Sequence, residues 1–568
     1  RWNQPLCAFI GGDTSGHGSA GPSFESDRRF TELRHLVTPG STLQKSIVVL
    51  SDLRREVEYR YRWQLGQGGQ GAQGEGRGRL APARRQFHPI ELHIPHSTPA
   101  GQLALRAVVE FSSGETQTDE FQFTVLPAQP PAAPRRTVRL LDPVGATAAM
   151  LDRLGVPYHR CSVDGQDLGS ADVVVIGERA LSHPELEGRA LPLVKAVERG
   201  ARVLMLAQEA DALQRRGFRV NVHALRQWFV RSPDHPALAG LSDAHFANWA
   251  GSATLIPPLL ETPEFEATNP TWLWNGFRNT RVWRAGNLNS VASVLIEKPD
   301  RGDWLPLVDG GFDLQYTPLL ETTVGAGRVI VCQLEIVHRS MAEPAADGLL
   351  VRLLRYLEEA PAPSRRRVLR SGDERLAALL RELNLESEPM SEEMRPSTPL
   401  LVVVGPGGGP PPRGLTEAIE AGTHVLALGL DAAELRAWVP GIEAGPRERT
   451  RCEPMGAIGA DPLLRGLSAA ELNWRTRPVL APLRGPGHPL LRVIRRGRGA
   501  IVVCQVAPWQ FDAETSARLR TTWRRTVWMV SRLLHNLGAS AGNPVLERLT
   551  HPAPPLSICL TNGWRGMA

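Results

Sequence analysis

The sequence predicts a multidomain chain, an Ig-like β-sandwich followed by two α/β flavodoxin-like domains. Three observations carry this. Short alternating segments separated by turns run from Phe30 to Pro127. A strand–helix–strand grammar follows a Pro-rich stretch, and that grammar then occurs a second time. At roughly 100–200 residues per domain, 568 residues make three or four domains. A composition of 42% hydrophobic and 22% charged residues lets each bury a core, which excludes disorder as the main state.

Residues 1–29 combine an apolar patch, Leu6 to Ile10, with a Gly/Ser-rich run, and read as the tail of a preceding catalytic domain. Over 30–127, strands are expected at 46–50, 57–65, 90–94, 103–111 and 118–126, all β-branched or aromatic-rich. The stretch GQGGQGAQGEGRGR, 66–79, reads as a floppy hairpin insertion that cannot pack. A Pro-rich linker spans 128–136. The first α/β domain covers 137–362, with strands at 137–141, 171–177, 201–207 and 328–332 and helices at 147–154, 191–199 and 345–358. The second, shorter repeat covers 363–540, and 541–568 is a C-terminal extension.

The repeat rests on four matches in the same order. PLLVVVG (399–405) echoes ADVVVIG (171–177), and THVLAL (423–428) echoes ARVLML (201–206). His235-Pro236, Gly240-Leu241 and Trp249 return as Asp461-Pro462, Gly466-Leu467 and Trp474, a shared turn or cap motif. GRVIVCQ (327–333) returns as GAIVVCQ (499–505). From His235 to Gln333 is 98 residues but from Asp461 to Gln505 only 44, leaving an insertion at about 255–316 in the first copy.

Charge excludes several function classes. Of 65 basic residues only Lys45, Lys195 and Lys298 are lysines, yet 59 acids hold the net charge to +6. By segment it is +3 over 1–136, −5 over 137–362 and +8 over 363–568, with no dense basic stripe of the kind nucleic-acid binding needs. The two repeats of opposite sign are expected to face different neighbours, including each other. No apolar stretch approaches a membrane span of about 20 residues. Six scattered cysteines show no CxxC, and the histidines show no HExxH, so neither a metal nor a cofactor is expected.

Catalytic patterns fail one by one. GPGGGPPPR (405–413) follows a strand as a phosphate loop would, but it lacks GxxxxGK[ST] and its prolines remove donors. Where a nucleophile elbow would follow the third strand, the first copy reads Gln208-Glu209-Ala210-Asp211 and the second Gly429-Leu430-Asp431-Ala432, with no Ser, Cys or Thr. Cys332 and Cys504 lie in apolar strands and read as small buried hydrophobes. What remains is the Trp-rich insertion. Trp249, Trp272, Trp274, Trp283, Arg284, Asn287, Trp304, Asp313, Gln315 and Tyr316 combine rings with polar groups, the chemistry of carbohydrate contact and equally of a protein interface. No catalytic residue is nominated.

The order of these parts resembles the C-terminal half of large bacterial β-galactosidase-like glycoside hydrolases of the family 2-like kind. The residues that carry it are RWNQPLCAFIGG (1–12), HPALAGLSDAHFANWAGSATL (235–255), VASVLIEKP (291–299), GGFDLQYTPLLE (310–321) and GRVIVCQLE (327–335). The α/β domains are similar to class I glutamine amidotransferase-like domains, and to the trimerisation domain of family 42 β-galactosidases. The resemblance implies an accessory, non-catalytic region. Its partners would be an upstream catalytic barrel of the same chain, further copies of itself (a homo-oligomer), and carbohydrate. A periplasmic or extracellular setting goes with it. The alternatives are a stand-alone carbohydrate-binding or adhesion module and an amidotransferase-like hydrolase.

Overall fold

Period-two alternation builds the first pair of layers. In a computed structural model, residues 4–12, 33–66, 72–127, 138–162, 173–256, 287–394, 399–450, 461–474, 476–511 and 519–552 are described, together with residues 458 and 516 and the backbone of 272–274 and 277–279. The sandwich strands are β1 (Leu6–Gly11), β2 (Leu36–Val37), β3 (Thr42–Ser51), β4 (Val57–Leu65), β5 (Gln73–Leu80), β6 (Arg84–His93), β7 (Gly101–Phe111) and β8 (Thr116–Val125). One sheet runs β1-β3-β6 and the other β2-β8-β7-β4-β5, antiparallel except where β2 meets β8. Ile47, Val49, Leu65, Leu105 and Phe123 meet between them, each essentially unexposed.

Two sequence expectations are corrected here. Leu6–Gly11 belongs to the sandwich and not to a preceding domain: it pairs antiparallel with β3, Leu6 opposite Ser51 and Gly11 opposite Ser46. Its free edge is bonded by side chains of β8. Gln117 accepts from Ala8 N at 2.8 Å and donates to Leu6 O at 2.9 Å, and Asp119 accepts from Ile10 N at 2.9 Å. The glycine-rich stretch also packs over its second half, as edge strand β5, while 67–71 lies outside the described residues. Gly74, Gly76 and Gly78 sit opposite Trp63, Tyr61 and Tyr59, whose rings lie where a Cβ would stand, 2.3–2.7 Å away. The aromatic rings supply the contacts that the glycines cannot.

The first α/β unit holds β9 (Val138–Leu141), β10 (Tyr158–Arg160), β11 (Val173–Ile176), β12 (Arg202–Met205), β13 (Val220–Leu225), β14 (Phe229–Val230), β15 (Trp272–Trp274), β16 (Phe277–Asn279), β17 (Ala292–Glu297), β18 (Trp304–Gly310), β19 (Tyr316–Val324) and β20 (Gly327–Cys332). Its parallel part is ordered β10-β9-β11-β12-β20; β19, β17 and β13 continue it antiparallel, with β18 and β14 branching from β19. The second unit holds β21 (Val368–Ser371), β22 (Glu388–Pro389), β23 (Leu401–Val404), β24 (His424–Leu428), β25 (Glu448–Arg449), β26 (Val479–Leu480), β27 (Leu491–Arg496) and β28 (Gly499–Cys504). Its order is β22-β21-β23-β24-β28, parallel, then β27 antiparallel.

Both sheets therefore place their parallel strands second, first, third, fourth, fifth, and the matched sequence segments occupy equivalent strands. Val173–Ile176 and Leu401–Val404 are buried throughout, as strands covered on both faces must be. The repeated glycine that opens the fifth strand has a steric reason. A Cβ on Gly327 would lie 2.0 Å from Val197 O, and one on Gly499 would lie 2.2 Å from Ile419 O. Each fifth strand begins in contact with main-chain carbonyls at the end of a preceding helix.

Three contacts tie the parts together. Leu36 joins the first unit's core, and Leu33 N donates to Asn289 Oδ1 at 2.8 Å. The helix Arg520–Asn536 of the second unit lies against the first. The chain then returns: helix Pro544–Thr550 buries Leu546 and Leu549 on the first unit's sheet, and Asn543 donates to Thr322 at 2.9 Å. The described part of the segment read as an extension, residues 541–552, is thus a clasp.

Candidate functional site

Open α/β sheets do their chemistry beyond the carboxyl ends of their parallel strands. In the first unit that place is closed by two glutamines. Gln208 is unexposed; its Nε2 donates to Gly177 O and Leu206 O, both at 2.7 Å, and its Oε1 accepts from Leu181 N at 2.9 Å. Gln333, following β20, clips the Gln208 main chain from both sides, accepting from its N and donating to its O, each at 2.9 Å. In the second unit Gln505 repeats the donor half of this, donating to Leu430 O at 3.0 Å and Ala481 O at 2.6 Å. Burial pushes the thiols of Cys332 and Cys504 up to about 12, so neither is a nucleophile near neutrality.

A group the sequence reading passed over lies beside this plug. Its signal is the spacing Glu335, His338, Arg339, Glu343 just past a buried strand. His338 Nε2 is 3.0 Å from Glu178 Oε2, and that carboxylate, with burial opposing, raises the imidazole's affinity for its proton. Glu335 accepts from Thr254 N at 2.6 Å and from Ser293. Glu343 accepts from Ala250 N and Ala345 N, both at 3.1 Å, while burial pushes it up to about 7. These bonds hold loops and a helix start together. Among the described residues, no cluster of His, Cys, Asp and Glu could hold a metal ion.

The residues nominated from sequence separate into three sets. Trp249, Asn287 and Trp304 are corrected from surface to core, at 0%, 2% and 1% exposure. Trp249 donates to His245 O at 2.8 Å, Asn287 donates to Ala253 O at 3.0 Å, and Trp304 meets Phe218 edge-on at 5.6 Å. The two indoles have large apolar faces that contribute more in the core than at a surface, and Asn287 is held there by its amide bonds. Trp272 and Trp274 lie in β15, paired with β16, and are described by backbone alone; Trp283 and Arg284 lie outside the described residues. Asp313 and Gln315 lie beside the second unit, while Tyr316 packs against the first unit's core. Asp313 pairs with Arg525, Gln315 donates to Asp313 at 3.4 Å, and Tyr316 accepts from Asn221 at 3.3 Å.

That junction contains a compact group of buried charges. Arg231, just past β14, crosses into the second unit's copy of the capping turn. It donates to Gly466 O at 2.9 Å and Ser468 Oγ at 2.6 Å and pairs with Glu471. On its own side it reaches Asp309 at 3.0 Å, which also holds Lys298 at 2.8 Å. Lys298 Nζ stands 5.3 Å from the Trp528 ring centroid. The four charged side chains are 2–8% exposed. Burial, then Arg231, lowers the proton affinity of Lys298. Burial would raise Glu471, but Arg231 and Lys298 outweigh it and hold that carboxyl low. Two cations and two anions cancel, and each is bonded. Around them Arg524 faces Glu297 at 3.4 Å and Arg532 faces Asp303 at 2.6 Å. The basic second repeat and the acidic first repeat meet here.

No known protein family matches this sequence, and no curated protein matches it either. Solved structures similar to parts of the chain include the CARDB domain of a Pyrococcus furiosus protein (13% identity, 21% of this chain and 87% of that one, TM-score 0.15). A PapD-like domain of human CEP192 (15%, 17% and 83%, 0.13) and a FixG-related protein of Vibrio parahaemolyticus (13%, 22% and 97%, 0.14) are others. At those scores they carry no argument about function. The chain is β-rich with several sheets, and no helix among the described residues is long and apolar enough to cross a membrane.

Proposed function

We propose that this chain is a non-catalytic accessory and assembly region of a β-galactosidase-like glycoside hydrolase, whose work is to support and position a catalytic barrel. The observation that carries the reading is the plug of Gln208 and Gln333: the position a nucleophile would need is filled by a buried amide with every bond made. The strand order second-first-third-fourth-fifth supports a flavodoxin-like, class I amidotransferase-like origin for both α/β units. Latches between the parts suit a rigid support. The test is to assay the purified chain for hydrolysis of aryl β-galactosides and of glutamine, and then for retention of a separately expressed barrel encoded upstream. No turnover together with barrel retention is expected. Turnover that disappears on substituting a residue of this chain would overturn the reading.

A further inference from the structure

A second feature of the junction is not neutral. Between β18 and β19 of the first unit and the amino-terminal edge of the second unit's sheet lies a crevice of about 370 Å³. Four guanidiniums, Arg365, Arg366, Arg465 and Arg532, line it against two carboxylates, Asp303 and Glu321. Both carboxylates are already engaged. Asp303 holds Arg532 at 2.6 Å and Arg365 at 3.8 Å, and Glu321 holds Arg328, His235 at 2.7 Å and Tyr356 at 3.0 Å. Arg366 donates only to carbonyls, Gly422 O at 2.6 Å and Leu400 O at 3.4 Å, and Arg465 has no side-chain partner among the described residues.

The wall between them is the imidazole of His424, first residue of β24, which is 8% exposed. Its Nδ1 is buried with no partner among the described residues. Burial, with Arg366 and Arg495 nearby, holds it to about 4, so the ring is neutral near pH 7 and offers one donor or acceptor. Two uncompensated guanidiniums and an unpartnered imidazole around a cavity form a set that a tetrahedral oxoanion satisfies, because its oxygens accept several charge-assisted bonds at once. The cavity exceeds what one such ion fills and leaves room for a small carrier.

We propose that this crevice binds a phosphate or sulfate group, either as the free ion or carried on a monosaccharide. The inference is independent of the proposed accessory role. It is tested by calorimetric titration of the full chain with inorganic phosphate, and then with glucose 6-phosphate and glucose, at constant ionic strength. Saturable binding of the phosphate-bearing ligands and none of glucose is expected. Arg465→Glu, at an exposed position, and Arg366→Gln each weaken it about tenfold or more. Arg381→Glu, the same charge change on an exposed helix pair with Glu374, leaves it unaltered. Tighter binding of glucose 6-phosphate than of phosphate assigns the carried form; equal binding assigns the free ion. No saturable binding, or equal loss in all three variants, overturns the site.

Discussion

The two α/β units share a strand order, a glutamine staple and a capped turn, and they differ in how the turn is charged. In the first, His235 caps Pro236–Leu238, accepting from Ala237 N at 3.3 Å, and leans on Glu321. In the second, Asp461 caps Pro462–Leu464, accepting from Leu463 N at 2.8 Å, and pairs with Arg495. Glu321 and Arg495 lie on corresponding antiparallel strands beside the fifth strand, so acid and base have changed places. Seven residues after each cap, the first copy has Ser242 with His245, and the second has Ser468 with Glu471. Only the second supplies a carboxylate there, and it is the one Arg231 reaches. The added strands of the first unit carry Asp309, Lys298 and Asp303 to the other side of that contact. The two copies of the pattern thus present complementary faces.

Removing the latch has the largest expected effect. Arg231→Ala leaves two buried carboxylates with Lys298 alone and is expected to cost about 3–5 kcal/mol, read as an earlier urea transition that separates the two units. The exposed pair Arg381–Glu374 is the counterpart, and its loss stays within about 0.5 kcal/mol. Giving the first unit the second unit's cap, His235→Asp, sets a new carboxylate against buried Glu321; about 2–4 kcal/mol is lost, measured by thermal melting. Gln333→Ala opens both halves of the staple on Gln208 and costs about 1–3 kcal/mol. Gln505→Ala costs less, because its Oε1 makes no bond among the described residues. Asp461→Ala removes only a cap and costs about 0.5–2 kcal/mol.

The buried carboxyls respond to acid with opposite signs. Asp303, Glu321 and Glu471 all bind protons less readily than free carboxyls: neighbouring Arg532, His235 and Arg231 outweigh the opposing effect of burial. The stability they contribute is complete above the ordinary carboxylate range and is lost as pH falls below it. Glu343 acts oppositely. Raised to about 7 by burial, it stabilises fully below the ordinary range, and that share is lost as pH rises through about 7. Urea midpoints at pH 3, 5 and 8 are expected to be highest at pH 5; a midpoint that climbs steadily to pH 8 would contradict the Glu343 assignment.

What could be read beforehand was whatever repeats locally. Buried strands such as Val173–Ile176 and their copies follow from apolar runs, and the cap role of His235 and Asp461 follows from the proline after each. The opposite charges of the two repeats pointed to their meeting. What escaped depended on partners distant in the chain. Gly74, Gly76 and Gly78 look unable to pack until Trp63, Tyr61 and Tyr59 are placed opposite. Trp249 and Trp304 look like surface anchors until the strands around them close. Arg231 gives no local sign that its partner lies 240 residues away.

The clasp at Pro544–Thr550 has a consequence in time. A ribosome adding about 5–20 residues per second completes the first unit's own strands and helices well before Leu546 and Leu549 emerge. The nearly 190 residues between Glu359 and Leu546 correspond to a wait on the order of 10–40 seconds. During that interval the apolar floor they cover is without its lid, so exposed hydrophobic surface of the kind that favours aggregation persists until the last helix arrives.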